Sequence, residues 1–123
     1  MELKDKIIVI TGAGSGIGRA LAIRFHAEGA KKIVVVDINL SNAQDTAVMV
    51  NGIAMMADVA KENDIYRVIE ETETNVGAID LFCSNAGVAI GENIDSTNSE
   101  WQASWDMNVM SHVYAARHLL PRM

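Results

Sequence analysis

Cysteine is nearly missing from this chain: Cys83 stands alone among 123 residues. An internal disulfide is thereby excluded, and a reducing compartment fits. Cys83 lies in an apolar run, which predicts core packing rather than chemistry. Proline is as scarce, with Pro121 its single occurrence; no linker, internal repeat or low-complexity tract divides the chain. Positive charge is in short supply. Ten Lys and Arg against sixteen Asp and Glu leave a net charge of −6, which argues against nucleic acid or an anionic membrane as partner. No apolar segment approaches the length needed to span a bilayer. Met1-Glu2-Leu3-Lys4-Asp5 carries mixed charge and leads straight into an apolar run, so no signal peptide is predicted and a cytoplasmic protein is the expectation.

What is present is enough for one domain with its own core, since half of the residues are apolar and 21% charged. The organising stretch is Lys6 to Gly18. Ile7-Ile8-Val9-Ile10 is a β-branched run of the kind that forms a strand buried on both faces. Glycines follow at 12, 14, 16 and 18. Ile17, Leu21 and Phe25 then recur at helical spacing, with Ala20 and Ala27 beside them. Strand, glycine turn and helix in this order predict a phosphate-binding βα unit. Glycine admits backbone conformations and close approaches that a Cβ forbids, and a helix N-terminus offers free N–H groups and partial positive charge to a diphosphate.

The spacing is not the common dinucleotide fingerprint G-x-G-x-x-G, because Ile17 and Arg19 stand where its last glycine would be. It is T-G-x-x-x-G-x-G, on Thr11, Gly12, Gly16 and Gly18. This resembles the glycine motif of the short-chain dehydrogenase/reductase family. By that likeness Gly12, Ser15, Gly16, Ile17 and Gly18 are expected to contact a dinucleotide cofactor.

Further along, Glu28-Gly29-Ala30 supplies a helix stop, and Ile33-Val34-Val35-Val36 reads as a second buried strand ending on Asp37. Asp37 lies 19 residues past Gly18, near the offset at which an acid at the tip of the second strand reaches a ribose 2′-hydroxyl. A carboxylate there repels a 2′-phosphate, and neither Ala13 nor Ile38 supplies a compensating cation, so NAD is expected over NADP. Ser41 reads as the cap of the following helix, which leaves Asp37 free for the ribose and places Ile38 beside it. Asn51-Gly52 closes that helix. Ile53 to Ala57 forms a third strand leading to Asp58-Val59. The residues alone leave Asp58 equally a helix cap or a ligand contact; the family likeness implies that Asp58 and Val59 lie against the adenine.

Lys61 to Val76 places Ile65, Val68, Ile69 and Val76 on one stripe, as a crossover helix does. Ile79 to Cys83 is a fourth strand running into Ser84-Asn85-Ala86-Gly87. Family members usually carry N-N-A-G here, so Asn85, Ala86 and Gly87 match and Ser84 departs. The likeness implies close passage of this backbone by the nicotinamide ribose. After a polar loop, a helix is expected to begin near residues 96–99 and run towards Pro121, with Trp101, Trp105, Val109, His112 or Val113, Ala116 and Leu120 as its apolar stripe. Asn108 stands in mid-helix, a poor position for asparagine unless its amide is satisfied. Trp101, Asn108 and Val109 match the family's W-x6-N pattern, which implies a catalytic asparagine holding a water for a serine, tyrosine and lysine. His26, His112 and His118 lack metal-ligand spacing and read as surface or packing residues. Glu70, Glu71 and Glu73 read as a solvated face, and Met55, Met56, Met107 and Met110 as core filler.

The expected fold is α/β: a three-layer αβα Rossmann-type doubly wound parallel sheet, four strands in the order 3-2-1-4, over residues 1–123. The resemblance implies an NAD-dependent oxidoreductase interconverting a secondary alcohol and a ketone, with this chain as its N-terminal, cofactor-binding half. Tyr66 and Tyr114 are followed at the fourth place by Glu70 and His118, so the family's Y-x-x-x-K does not occur, nor does its catalytic serine strand. The alternative is a non-catalytic dinucleotide-binding or interaction module. An uncovered edge at Ile79 to Cys83 invites strand pairing, and the 98–120 helix, a subunit contact in the family, implies a homodimer or homotetramer.

Overall fold

The computed structural model describes residues 1–123. Its elements alternate as β1 (Ile7–Thr11), α1 (Gly16–Ala27), β2 (Lys32–Asp37), α2 (Leu40–Val50), β3 (Ile53–Met56), α3 (Glu62–Asn75) and β4 (Leu81–Cys83). Then come α4 (Asn98–Trp105), a π-helical turn over Asp106–Met110, α5 (Ser111–Leu119) and a short 3-10 turn over Leu120–Arg122. All four strands pair in parallel in the order β3-β2-β1-β4, which is the doubly wound Rossmann-type arrangement expected. Alternate residues of β1 point to opposite faces. Ile8 and Ile10 meet Ala22 of α1 and Ala43, Ala47 and Val50 of α2. Val9 joins Ile65, Val68 and Ile69 of α3 and Ala115 and Leu119 of α5 on the other face. Three layers follow from that alternation. No helix is long and apolar enough to cross a membrane.

The fourth strand is shorter than the apolar run implied. Ile79 is buried, but the ladder to β1 spans Leu81 to Cys83 alone. Asp80 ends it: its N–H donates to the Ile7 carbonyl at 3.0 Å, and its carboxylate accepts the Ile7 N–H at 2.8 Å. The Ile7 N–H, with Lys6 alongside, holds the Asp80 carboxyl below the usual aspartate range.

The last helix departs further from expectation. Thr97 caps α4 in a reciprocal box with Glu100, but the π turn adds a residue and shifts the phase of everything after it. α5 therefore buries Ser111, Ala115 and Leu119. Leu120, on the expected stripe, faces outward instead at 70% exposure, and Trp101 (53%) and Trp105 (55%), which precede the turn, are exposed as well. Glu70 and Glu73 are no simple solvated face either, because both receive the Arg122 guanidinium; Glu71 pairs with Arg67. His118 bonds Glu62 at 2.9 Å and packs against the Tyr66 ring in a tilted arrangement, with the ring centroids 5.1 Å apart. A hydrogen bond from Arg117 keeps the Glu62 carboxyl ionised below the ordinary glutamate range. Met56 is exposed rather than core. At the start of α2 the cap is Asn39, whose side chain accepts the Asn42 N–H at 3.0 Å, so Ser41 lies inside the first turn.

Candidate functional site

β2 and β4 flank β1 on opposite sides, and the chain crosses over between them, so a crevice opens at the carboxyl ends of the strands. A cleft of about 350 Å³ occupies it. The twelve residues that the sequence singles out for cofactor contact (Gly12, Ser15, Gly16, Ile17, Gly18, Asp37, Ile38, Asp58, Val59, Asn85, Ala86 and Gly87) all line this cleft. Val36, Ala57, Val88 and Met107 complete it. Asn108 is not part of the lining, although Met107 beside it is.

The glycines act in different ways. Gly16 has φ +53° and open space where a Cβ would project, so its conformation and the room above it both suit a ligand's approach. Gly12 has φ +66°, and a Cβ there would stand 2.8 Å from the Ala86 Cα. Gly18 is a packing glycine. A Cβ on it would sit 2.8 Å from both the Ala13 Cα and the Asn85 Nδ2, so α1 approaches β1 closely only without a side chain. Ser15 caps α1 with extended backbone and no side-chain cap bond, and no acid occupies the first turn. The N–H groups and partial charge at that end are thus uncompensated within the helix.

Thr11 joins the two halves of the crevice. Its hydroxyl accepts the N–H groups of Asn85 at 3.0 Å and Ala86 at 3.1 Å, while Asn85 Nδ2 donates to the Thr11 carbonyl at 3.0 Å. The Asn85-Ala86-Gly87 backbone is held against β1 by these bonds. Behind it the Cys83 thiol is half-buried, and burial pushes its pKa up.

Asp37 stands at the tip of β2. One carboxylate oxygen accepts the Gly14 N–H at 2.9 Å and the other the Asn39 N–H at 3.0 Å. An ionised carboxylate has about four lone-pair positions, so each oxygen keeps acceptor capacity towards the cleft. Asp58 also faces the cleft. Its carboxylate accepts the Ala60 N–H at 3.0 Å, closing a turn ahead of α3, whose N-cap is Lys61.

Asn108 has its amide satisfied: the oxygen accepts the Val88 N–H at 2.9 Å, and the nitrogen donates to the Val88 carbonyl at 2.8 Å and to Ser104 Oγ at 3.1 Å. The side chain thus ties the π turn to the loop after β4. A Cβ on Gly87 would stand 2.9 Å from its Oδ1. His112 is more than a surface residue, since its Nδ1 lies 2.6 Å from Ser84 Oγ.

Sequence reasoning passed over Gly14 and Thr11 as contributors in their own right, and read Met107 as filler. Gly14 carried a signal, being one of four alternating glycines. Nothing in the sequence placed its neighbour Asp37 against it: a Gly14 Cβ would stand 2.7 Å from the Asp37 Cγ.

Comparison with known proteins agrees with this geometry. The family model described as short chain dehydrogenase matches residues 6–123. An uncharacterized oxidoreductase of Staphylococcus aureus (strain MRSA252) is 35% identical, over 98% of this chain and 54% of its own length. One from Bacillus subtilis (strain 168) is 36% identical, over 100% of this chain and 48% of its own. The crystal structure of hydroxysteroid dehydrogenase from Escherichia coli matches with a TM-score of 0.92 at 28% identity, covering 99% of this chain and 54% of that one. The chain spans about half the length of the relatives it matches.

Proposed function

The chain belongs to the short-chain dehydrogenase family, and from that premise we propose that its cleft binds NAD(H), with residues 1–123 serving as the Rossmann half of an oxidoreductase. Asp37 carries the reading. Its two oxygens, steadied by Gly14 and Asn39, retain lone pairs for the paired hydroxyls of an adenosine ribose and would repel a 2′-phosphate. The α1 N-terminus from Ser15 to Gly18 suits the diphosphate. Asp58 and Val59 suit the adenine, and Asn85, Ala86 and Gly87 the nicotinamide ribose.

The nicotinamide, when bound, supplies hydride exchange with a small alcohol or ketone. The residues of this chain bind and orient. They include no Tyr-x-x-x-Lys to exchange the substrate proton, so the 123 residues by themselves are expected to bind without turnover. The family likeness gives Asn108 its place in the proton path, and from the π turn its amide fixes the Val88 loop. The exposed Trp101, Trp105 and Leu120 support a homodimer or homotetramer formed through the 98–120 helix.

Fluorescence titration with NADH and NADPH tests the assignment. NADH should bind at least about tenfold tighter, the scale of a hydrogen bond to a charged group, and Asp37→Ala should remove the difference. Equal affinities in the unmodified protein would sink the role of Asp37.

A further inference from the structure

Outside the cleft lining, one set of bonds reaches the selecting carboxylate from behind. Gly14 lies between the two. Its N–H faces Asp37 at 2.9 Å, and its carbonyl accepts Arg19 Nη2 of α1 at 2.6 Å. The same guanidinium donates through Nε to Thr46 Oγ1 at 2.8 Å. Thr46 belongs to α2 and is 0% exposed. α2 in turn begins at the Asn39 cap, whose N–H holds the second oxygen of Asp37. The bonds therefore close a ring, from Asp37 through Gly14, Arg19, Thr46 and α2 back to Asp37.

The ring has no slack. A Cβ on Gly14 would stand 2.7 Å from the Asp37 Cγ and Oδ2 and 2.8 Å from the Asn42 Cβ. Moving the Gly14 peptide therefore means moving the carboxylate. The two peptide planes flanking Gly14 are each held by a side chain, one by Asp37 and the other by Arg19. Arginine suits this place because its planar fork donates in two directions at once, which a lysine ammonium on a flexible stem does not reproduce.

We propose that Arg19 and Thr46 are positioning residues for cofactor selection, fixing the direction in which Asp37 presents its free lone pairs. This rests on the NAD(H) reading above. Neither residue lines the cleft, so their action is through Gly14. An effect confined to packing would weaken NADH and NADPH alike, whereas aiming the carboxylate alters the ratio between them.

The test is a double-mutant cycle read as the ratio of the NADPH and NADH dissociation constants, measured by fluorescence on the full chain. Thr46→Val keeps the shape and removes the acceptor, while Arg19→Lys keeps the charge and removes the fork. Each should lower the ratio about fivefold when Asp37 is present, and by less than about twofold in the Asp37→Ala background, as expected of coupled neighbours. An unchanged ratio, or the same fall in both backgrounds, overturns the proposal. If Thr46→Val proves unfolded by circular dichroism, Arg19→Lys carries the test alone. An unmodified protein without preference for NADH overturns the Asp37 assignment first, and that result is visible before any variant is compared.

Discussion

Thr11→Val is the sharpest probe of how the crevice is held open. Valine keeps the shape of threonine, so the change isolates the hydroxyl. That hydroxyl is buried, at 1% residue exposure, and accepts the N–H groups of Asn85 and Ala86 at 3.0 and 3.1 Å. Its own donation to the Cys83 carbonyl is long, at 3.4 Å, and contributes little. Each accepted bond is worth about 1 kcal/mol net, and a donor left unpaired away from water costs about 1 kcal/mol more. Asn85 and Ala86 are half-buried, so water meets part of that second cost. The expected loss is about 2–3 kcal/mol, which at about 4 °C per kcal/mol for a chain of this size lowers Tm by about 10 °C. Urea denaturation followed by far-UV circular dichroism measures it. Thr11→Ser, which keeps the acceptor and loses only a methyl, should cost about 1 kcal/mol. A valine variant within about 0.5 kcal/mol of the parent, or a serine variant as damaged as the valine, would refute the reasoning.

Other expectations follow from the same contacts. Gly18→Ala should cost about 2 kcal/mol by overpacking, since the new methyl meets backbone of Gly12 and Ala13; denaturant midpoints of the variant and the parent check it. For Asp80 the folded-state pKa lies below the unfolded one, so its contribution is complete at neutral pH and is lost as the pH falls below about 4. Asp80→Asn should therefore destabilise at pH 7 and converge on the parent in acid, which stability curves at both pH values will show. Asn108→Ala frees both polar groups of Val88 and should speed hydrogen exchange at the Val88 amide about tenfold. Unchanged exchange there would remove Asn108 from its tie to the loop.

The parts of the fold most legible in the sequence are those set by local rules. Ile7 to Ile10 and Ile33 to Val36 are continuous apolar runs, and only strands buried on both faces need them. Gly29 and Asn51-Gly52 mark helix ends because both Gly29 and Asn51 adopt positive φ there. Of the cleft residues, the glycine turn and Asp37 were legible from spacing, whereas Asp58, Val59, Asn85, Ala86 and Gly87 were reached through the family likeness, and strand ends converging on one crevice bring them together. Contacts made at long range were hidden. Asp80 pairing with Ile7, Gly14 touching Asp37, and Arg122 reaching Glu70 and Glu73 depend on how elements dock, and no spacing announces them. The buried face of α5 was misplaced for a related reason: a period of 3.6 was carried through Asp106–Met110, where the helix does not keep it.

That inserted residue also lets one continuous rod answer to two neighbours. Before it, Ser104 aligns with the Asn108 amide and the Val88 loop; after it, every fourth residue from Ser111 to Leu119 meets the sheet side. An unbroken helix would have to compromise between these directions, because its faces advance by a fixed angle. The widened turn absorbs the mismatch over five residues. Cleft-side and core-side substitutions along this rod are thereby freed from one another, and each can vary without retuning the other.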